Sequence, residues 1–273
     1  MVTKKTSKAA PATEASGCPL PIERPTSMQC LNIILYGASG SGKTRLAGSA
    51  QECEATSPVL FIDVDSGTAT LQGKEIDIVR PRSWKDIQKT YEFLLNENTH
   101  YKAVIIDSLS EMQKKFSMGT ILGEIKEGGD SYNDLGSTPV PTRQDWMKTG
   151  DQMRKLIRAF RDLAYNEREE GRVHVIMIAL EKADDKRKLI SPSLPGSLGT
   201  DCGAFVDVLA RLSRVAIEEE DAEGNLTSVT HRVLITDTYV DEDGNSYLAK
   251  DRSSKLDVIW DPTMEDIMGA FLS

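Results

Sequence analysis

From Leu31 almost to the C-terminus, short apolar runs alternate with longer stretches in which apolar residues return every three or four positions. Short continuous apolar runs suit strands buried on both faces, and a 3.6-residue period suits helices that bury one stripe. The alternation therefore predicts an α/β fold: a mostly parallel central sheet flanked by helices, with a β-rich edge near the C-terminus. Strands are expected at Leu31 to Tyr36, Val59 to Val64, Ala103 to Asp107, Val173 to Leu180, Val206 to Ala216 and His231 to Thr238. Helices are expected near Lys43 to Glu52, Trp84 to Asn96, Leu109 to Leu122, Asp145 to Glu169 and Met264 to Leu272. In the fourth of these, Met153, Leu156, Ile157, Phe160, Leu163 and Ala164 recur at helical spacing, so its apolar stripe is core.

The polar positions mark the connections. Residues 1–28 are rich in Ala, Pro, Ser and Thr and poor in large apolar side chains, which predicts a disordered tail before a single domain over residues 29–273. Two stretches, Gly123 to Thr142 and Glu181 to Thr200, exceed the usual connection of about 4 to 6 residues and read as long loops. A third, Glu218 to Thr230, reads as a hairpin tip with a turn near Gly224.

Composition narrows the function classes. The chain has 273 residues and a net charge of −9, which argues against coating nucleic acid by bulk electrostatics. Any nucleic-acid contact must come from local basic segments, such as Lys4, Lys5 and Lys8 in the tail or the Lys182 to Lys188 region. No apolar run reaches the ~18 residues of a membrane span, and no signal-peptide core follows the first lysines, so a cytoplasmic protein is expected. Cys18, Cys30, Cys53 and Cys202 are scattered without zinc-ligand spacing and read as reduced thiols. His100, His174 and His231 form no ligand cluster, and Trp84, Trp146 and Trp260 read as packing residues.

The chemistry enters at GASGSGKT, Gly37 to Thr44. The run satisfies G-x-x-x-x-G-K-[ST], follows the apolar LNIILY and opens a helix, which is the context of a phosphate-binding P-loop. Gly37, Gly40 and Gly42 let the backbone around Ala38, Ser39 and Ser41 turn its N–H groups inward, and Arg45 continues the nucleotide-contacting segment. Lys43 is expected to reach the β- and γ-phosphates of ATP, and Thr44 to offer its hydroxyl to Mg²⁺. AVIIDS ends in Asp107 at the C-terminal edge of a strand, where ligands collect in parallel sheets, and Asp107 is the expected magnesium-side acid. FIDVDSG supplies Asp63 and Asp65, placed on one face by period-two alternation. Asp65, at the strand terminus, is the preferred water-activating base, with Asp63 as its alternative.

The order GASGSGKT, FIDVD, IIDS, GEI…GDS, DQMRKLIRAF, VIMIALE and AKDR resembles the RecA core, including its short phage relatives linked to recombination and single-strand annealing. The resemblance implies a Mg²⁺-dependent ATPase that self-associates into a ring or filament, acts on single-stranded DNA and works beside a single-strand DNA-binding protein. It implies that Asp65 stands for the family's catalytic glutamate, one methylene shorter, and that Glu181 stands where the family places a γ-phosphate-sensing glutamine. It also places DNA contacts in the two long loops, through Lys182, Lys186, Arg187 and Lys188 and a base stacked on Tyr132. Lys250 and Arg252 match the spacing of a basic pair that reaches the neighbouring subunit's γ-phosphate. An alternative from another class stays open: a nucleotide-gated interaction module with little turnover and no direct DNA contact.

Overall fold

The structure, a computed structural model, describes residues 30–123, 140–220 and 226–273. The expected tail, most of the Gly123 to Thr142 loop with Tyr132, the turn near Gly224, and Cys18 lie outside those residues.

In chain order, β1 (Asn32–Gly37) leads into α1 (Lys43–Gly48), and β2 (Val59–Asp63) and β3 (Asp77–Val79) precede α2 (Trp84–Asn96). Then come β4 (Ala103–Asp107), α3 (Leu109–Met112), α4 (Gly119–Ile121), α5 (Arg143–Asp162), β5 (His174–Asp184), β6 (Leu189–Pro192) and α6 (Leu198–Asp201). The chain closes with β7 (Val208–Glu220), β8 (Leu226–Ile235), β9 (Tyr239–Val240), β10 (Ser246–Tyr247), β11 (Lys250–Asp251), β12 (Ile259–Trp260) and α7 (Met264–Leu272).

The main sheet runs β12-β8-β7-β1-β5-β4-β2-β3. Its middle is parallel, with Ile33 opposite Val208 on one side and Ile176 on the other. The edge toward the C-terminus is antiparallel, where β7 and β8 pair from Arg211 with Ile235 out to Glu220 with Leu226. Strands such as NIILYG are buried along their whole length because helices cover both faces. One face packs Ile34, Val104, Ile106, Met177, Met153, Ile157 and Phe160. The other packs Ile33, Leu35, Ile105, Ile178, Leu46, Ala47 and Phe271.

The α5 stripe of Met153, Leu156, Ile157 and Phe160 is buried as its spacing predicts. Each such side chain contributes roughly 1.5 to 3 kcal/mol on burial, and Phe160→Ala would cost about 3 to 5 kcal/mol. The helix starts earlier than the apolar stripe, because Thr142 accepts from the amide of Asp145 and the Asp145 carboxylate accepts from the amide of Thr142. It also ends earlier than Glu169, since Asn166 turns extended after a short 3-10 turn. The expected helix over Leu109 to Leu122 passes through a π-helical segment, Gln113–Met118, between α3 and α4.

The largest departure is at Glu181 to Thr200. It is not a loop: β5 continues to Asp184 and folds back as β6, pairing Glu181 with Pro192 and Asp184 with Leu189, before the short α6. The end of β5 is polar and β6 is only four residues long, so neither arm carries a readable apolar alternation and the sequence resembles a loop. Trp146 and Trp260 are 46% and 52% exposed, so they are not packing residues, while Trp84 packs against the core. Cys30, Cys53 and Cys202 are free thiols, and burial pushes Cys202 up to about 12. No helix among the described residues is long and apolar enough to cross a membrane.

Candidate functional site

The P-loop leaves β1 at Gly37 and enters α1 at Lys43, with Ala38, Ser39 and Gly40 exposed on its crest. Two glycines are required by geometry. A Cβ on Gly37 would collide with the Leu212 carbonyl oxygen of β7, and Gly42 holds φ at +101°, where side chains are strained. Arg45 is exposed on the first turn of α1. Lys43 lies under the crest, where its Nζ donates to the carbonyls of Gly37 at 2.9 Å and Ala38 at 2.7 Å and to Ser41 Oγ at 3.4 Å. Burial lowers its pKa, against the opposing pull of Asp107, Glu181 and Asp65.

Those three acids come from three strands or their sequels: Asp107 ends β4, Glu181 lies within β5, and Asp65 follows β2. In the sheet order β5 stands between β1 and β4, so Glu181 of β5 lies between the P-loop strand and Asp107 of β4. Thr44 Oγ1 donates to Asp107 Oδ2 at 2.6 Å. Burial pushes the Asp107 carboxyl up to about 6, partly offset by the Thr44 hydroxyl and raised further by Asp65. Among the described residues no group of three or more His, Cys, Asp or Glu could hold a metal ion. Magnesium bound together with a nucleotide would need only one or two protein oxygens, and the adjacent Thr44 hydroxyl and Asp107 carboxylate fit that need.

β2 ends at Asp63, so the strand alternation does not extend to Asp65, and the two carboxylates take different partners. Asp63 is 3% exposed, and its carboxylate takes the amide of Gly67, the Thr68 hydroxyl and Arg80 Nε at 3.2 Å. It fastens the loop after β2. Asp65 is exposed, and the amide of Ser108 at 3.1 Å and the Ser108 hydroxyl hold it beside the end of β4.

Glu181 is already paired. Arg211 Nε donates to its Oε2 at 3.0 Å, Arg211 Nη1 donates to the Tyr239 hydroxyl, and the guanidinium stacks 4.2 Å from the Tyr247 ring. A carboxylate held by an arginine is an acceptor, so Glu181 does not present a donor as a glutamine amide would.

The remaining basic candidates divide. Lys182 Nζ donates to the Leu194 carbonyl at 2.7 Å and Lys188 Nζ to the Asp243 carbonyl at 2.7 Å, so neither is a free surface cation. Lys186 and Arg187 are exposed at the β5–β6 turn, with Arg187 3.8 Å from Asp184. Lys186, Arg187 and Lys188 are consecutive and exposed at the turn, whereas Lys182 is half-buried. Lys250 and Arg252 lie beside the start of β7, at the sheet end opposite the P-loop. Lys250 Nζ holds the carbonyls of Gly203 and Val206, and Arg252 pairs with Asp207 at 3.3 Å. Within the subunit their role is to fasten the 203–207 segment.

Sequence reasoning misses Ser108 and Arg211. Ser108 was adjacent to a recognised acid, and its hydroxyl is the usual cap of a following helix, a role it also fills toward the amide of Glu111. Arg211 gives no local signal, because only the sheet order brings it beside Glu181.

Residues 30–253 match a family model described as an AAA domain. None of the curated proteins compared matches the chain significantly. Among solved structures, a prototypical ATPase from the type III secretion system of pathogenic bacteria is similar at 14% identity with a TM-score of 0.40, over 67% of this chain and 51% of that one. The chain thus spans about half the length of that ATPase.

Proposed function

This chain belongs to the AAA-domain family of P-loop ATPases, and we propose from that premise that it hydrolyses ATP with magnesium at the site between Lys43, Thr44, Asp107 and Asp65. The observation that carries the proposal is the Thr44 to Asp107 hydrogen bond of 2.6 Å, next to a lysine whose charge feels Asp107, Glu181 and Asp65 together. Lys43 would exchange the Gly37 and Ala38 carbonyls for the β- and γ-phosphates, and Thr44 with Asp107 would hold the cation. Magnesium, when bound, neutralises charge on the phosphates. Water attacks the γ-phosphorus, the bond from the γ-phosphorus to the bridging oxygen breaks, and Asp65, oriented by Ser108, receives the water's proton.

The finer reading is the recombinase-like one, in which hydrolysis is coupled to single-stranded DNA. What supports it is the continuity of β5, which leads from Glu181 at the nucleotide site to the turn that displays Lys186 and Arg187. If self-association shares the site, Arg252 would leave Asp207 for a neighbour's phosphate, which its 51% exposed side chain permits. Phosphate release measured with and without single-stranded DNA tests this reading. Stimulation that is lost in Lys186→Ala/Arg187→Ala supports it, and an unchanged rate with no DNA binding favours the interaction-module alternative.

A further inference from the structure

We propose that Arg232 is a nucleotide-binding residue of the P-loop, contacting the part of the phosphate chain that ADP and ATP share. The inference rests on the reading of the site as a nucleotide site. Arg232 comes from β8, far from the P-loop in sequence, yet its side chain lies against Gly42: a Cβ there would collide with Arg232 Nε and stand 2.9 Å from its Cδ and 3.5 Å from its Cζ. Arg232 Nε is enclosed without a hydrogen-bond partner. An enclosed guanidinium N–H that lacks an acceptor is costly, and the cost is offset when an anion lies within reach.

Among the described residues no anion hydrogen-bonds that Nε, although Asp261 feels the Arg232 charge. The neighbouring carboxylate, Asp261, accepts from the Arg232 backbone amide at 2.8 Å and meets His231 Nδ1 at 2.6 Å, so it serves the backbone and the imidazole. Directly across the hairpin from Arg232 stands Arg214, on the same sheet face. Like charges opposite each other on a sheet are destabilising, and an anion between them relieves the repulsion. Two arginines therefore stand opposite each other on the β7–β8 flank, one of them against Gly42 of the P-loop, a charge that a polyphosphate would balance.

The sheet order says which phosphates. Asp107 and Glu181 lie on the β5 and β4 side of β1, whereas Arg232 lies on the β7 and β8 side. The cation and the terminal phosphate belong beside Asp107. The opposite flank then meets the α- and β-phosphates, so Arg232 contributes to ADP and ATP alike.

The test is calorimetric titration of ADP and of ATP into the full-length parent, Arg232→Gln and Arg232→Lys, with thermal melting to check that each variant is folded. Arg232→Gln should weaken both nucleotides by a similar factor, about tenfold or more for a lost charge-assisted hydrogen bond. It should also flatten the salt dependence of ADP binding, which a packing defect alone would not do. Arg232→Lys should recover part of the affinity. Unchanged ADP affinity in folded Arg232→Gln, or a loss confined to ATP, would overturn the assignment. A parent that binds neither nucleotide would instead overturn the reading of the whole site, and this inference with it.

Discussion

Thr44 and Asp107 are 63 residues apart in sequence and joined by a 2.6 Å hydrogen bond, which ties the first turn of α1 to the end of β4. The contact crosses β5, so it depends on the sheet order as much as on the two motifs. It also puts a hydroxyl donor on a carboxyl that burial pushes up to about 6.

Asp107→Asn removes the charge and keeps the shape. Magnesium should then no longer strengthen ATP binding, a loss of about 10- to 100-fold at saturating magnesium. The parent's magnesium-dependent affinity should fall as pH drops through about 6, because the protonated carboxyl cannot ligate a cation. The stability effect has the opposite sign. A carboxyl whose folded pKa is raised from 3.8 to about 6 costs stability progressively as pH rises between those two values, and the full cost remains above them, so the asparagine should raise stability at pH 8 by roughly 1 kcal/mol. Titrations with and without EDTA across pH, and urea unfolding at pH 8, check both.

Asp65→Asn should leave ATP affinity within about twofold and lower turnover by about 10²-fold or more, the range typical of a lost general base. Ser108→Ala, which removes the hydroxyl donor to Asp65 and keeps the backbone amide donor, should lower turnover less. Single-turnover hydrolysis separates the chemical step from binding. Full turnover in Asp65→Asn would move the base to another acid.

Glu181 and Arg211 are 22% and 14% exposed at the side chain, so their pairing is worth more than a surface ion pair. Glu181→Gln should cost about 2 kcal/mol of stability, mainly through the partly buried arginine left without its counter-charge. In a double-mutant cycle with Arg211→Met the second change should cost much less than it does alone. Urea unfolding of the four proteins measures the coupling, and additive effects would mean the pair contributes nothing specific.

The parts of this molecule written locally are legible in its sequence. The P-loop residues are contiguous, AVIIDS carries its acid at the strand end, and the α5 stripe repeats within one helix. What is not legible depends on where elements stop and which strands are neighbours. Asp63 and Asp65 look equivalent until β2 ends between them and Arg80 claims the first. The hairpin through Lys182 to Lys188 is hidden because the end of β5 is polar and β6 is only four residues long, too short to show a period, and its lysines look free because the carbonyls of Leu194 and Asp243 are distant in sequence. Arg211 and Arg232 become visible only when β7 and β8 are set beside β1.

The central claim, magnesium-dependent ATP hydrolysis at this P-loop, is tested most directly by phosphate release from ATP by the full-length protein and its Lys43→Ala variant, with magnesium and with EDTA. The parent should release phosphate only with magnesium. Lys43→Ala should stay folded and lose ATP affinity by about 10- to 100-fold, with release falling to background. Equal release by both proteins, or release by the parent that persists in EDTA, would contradict the account.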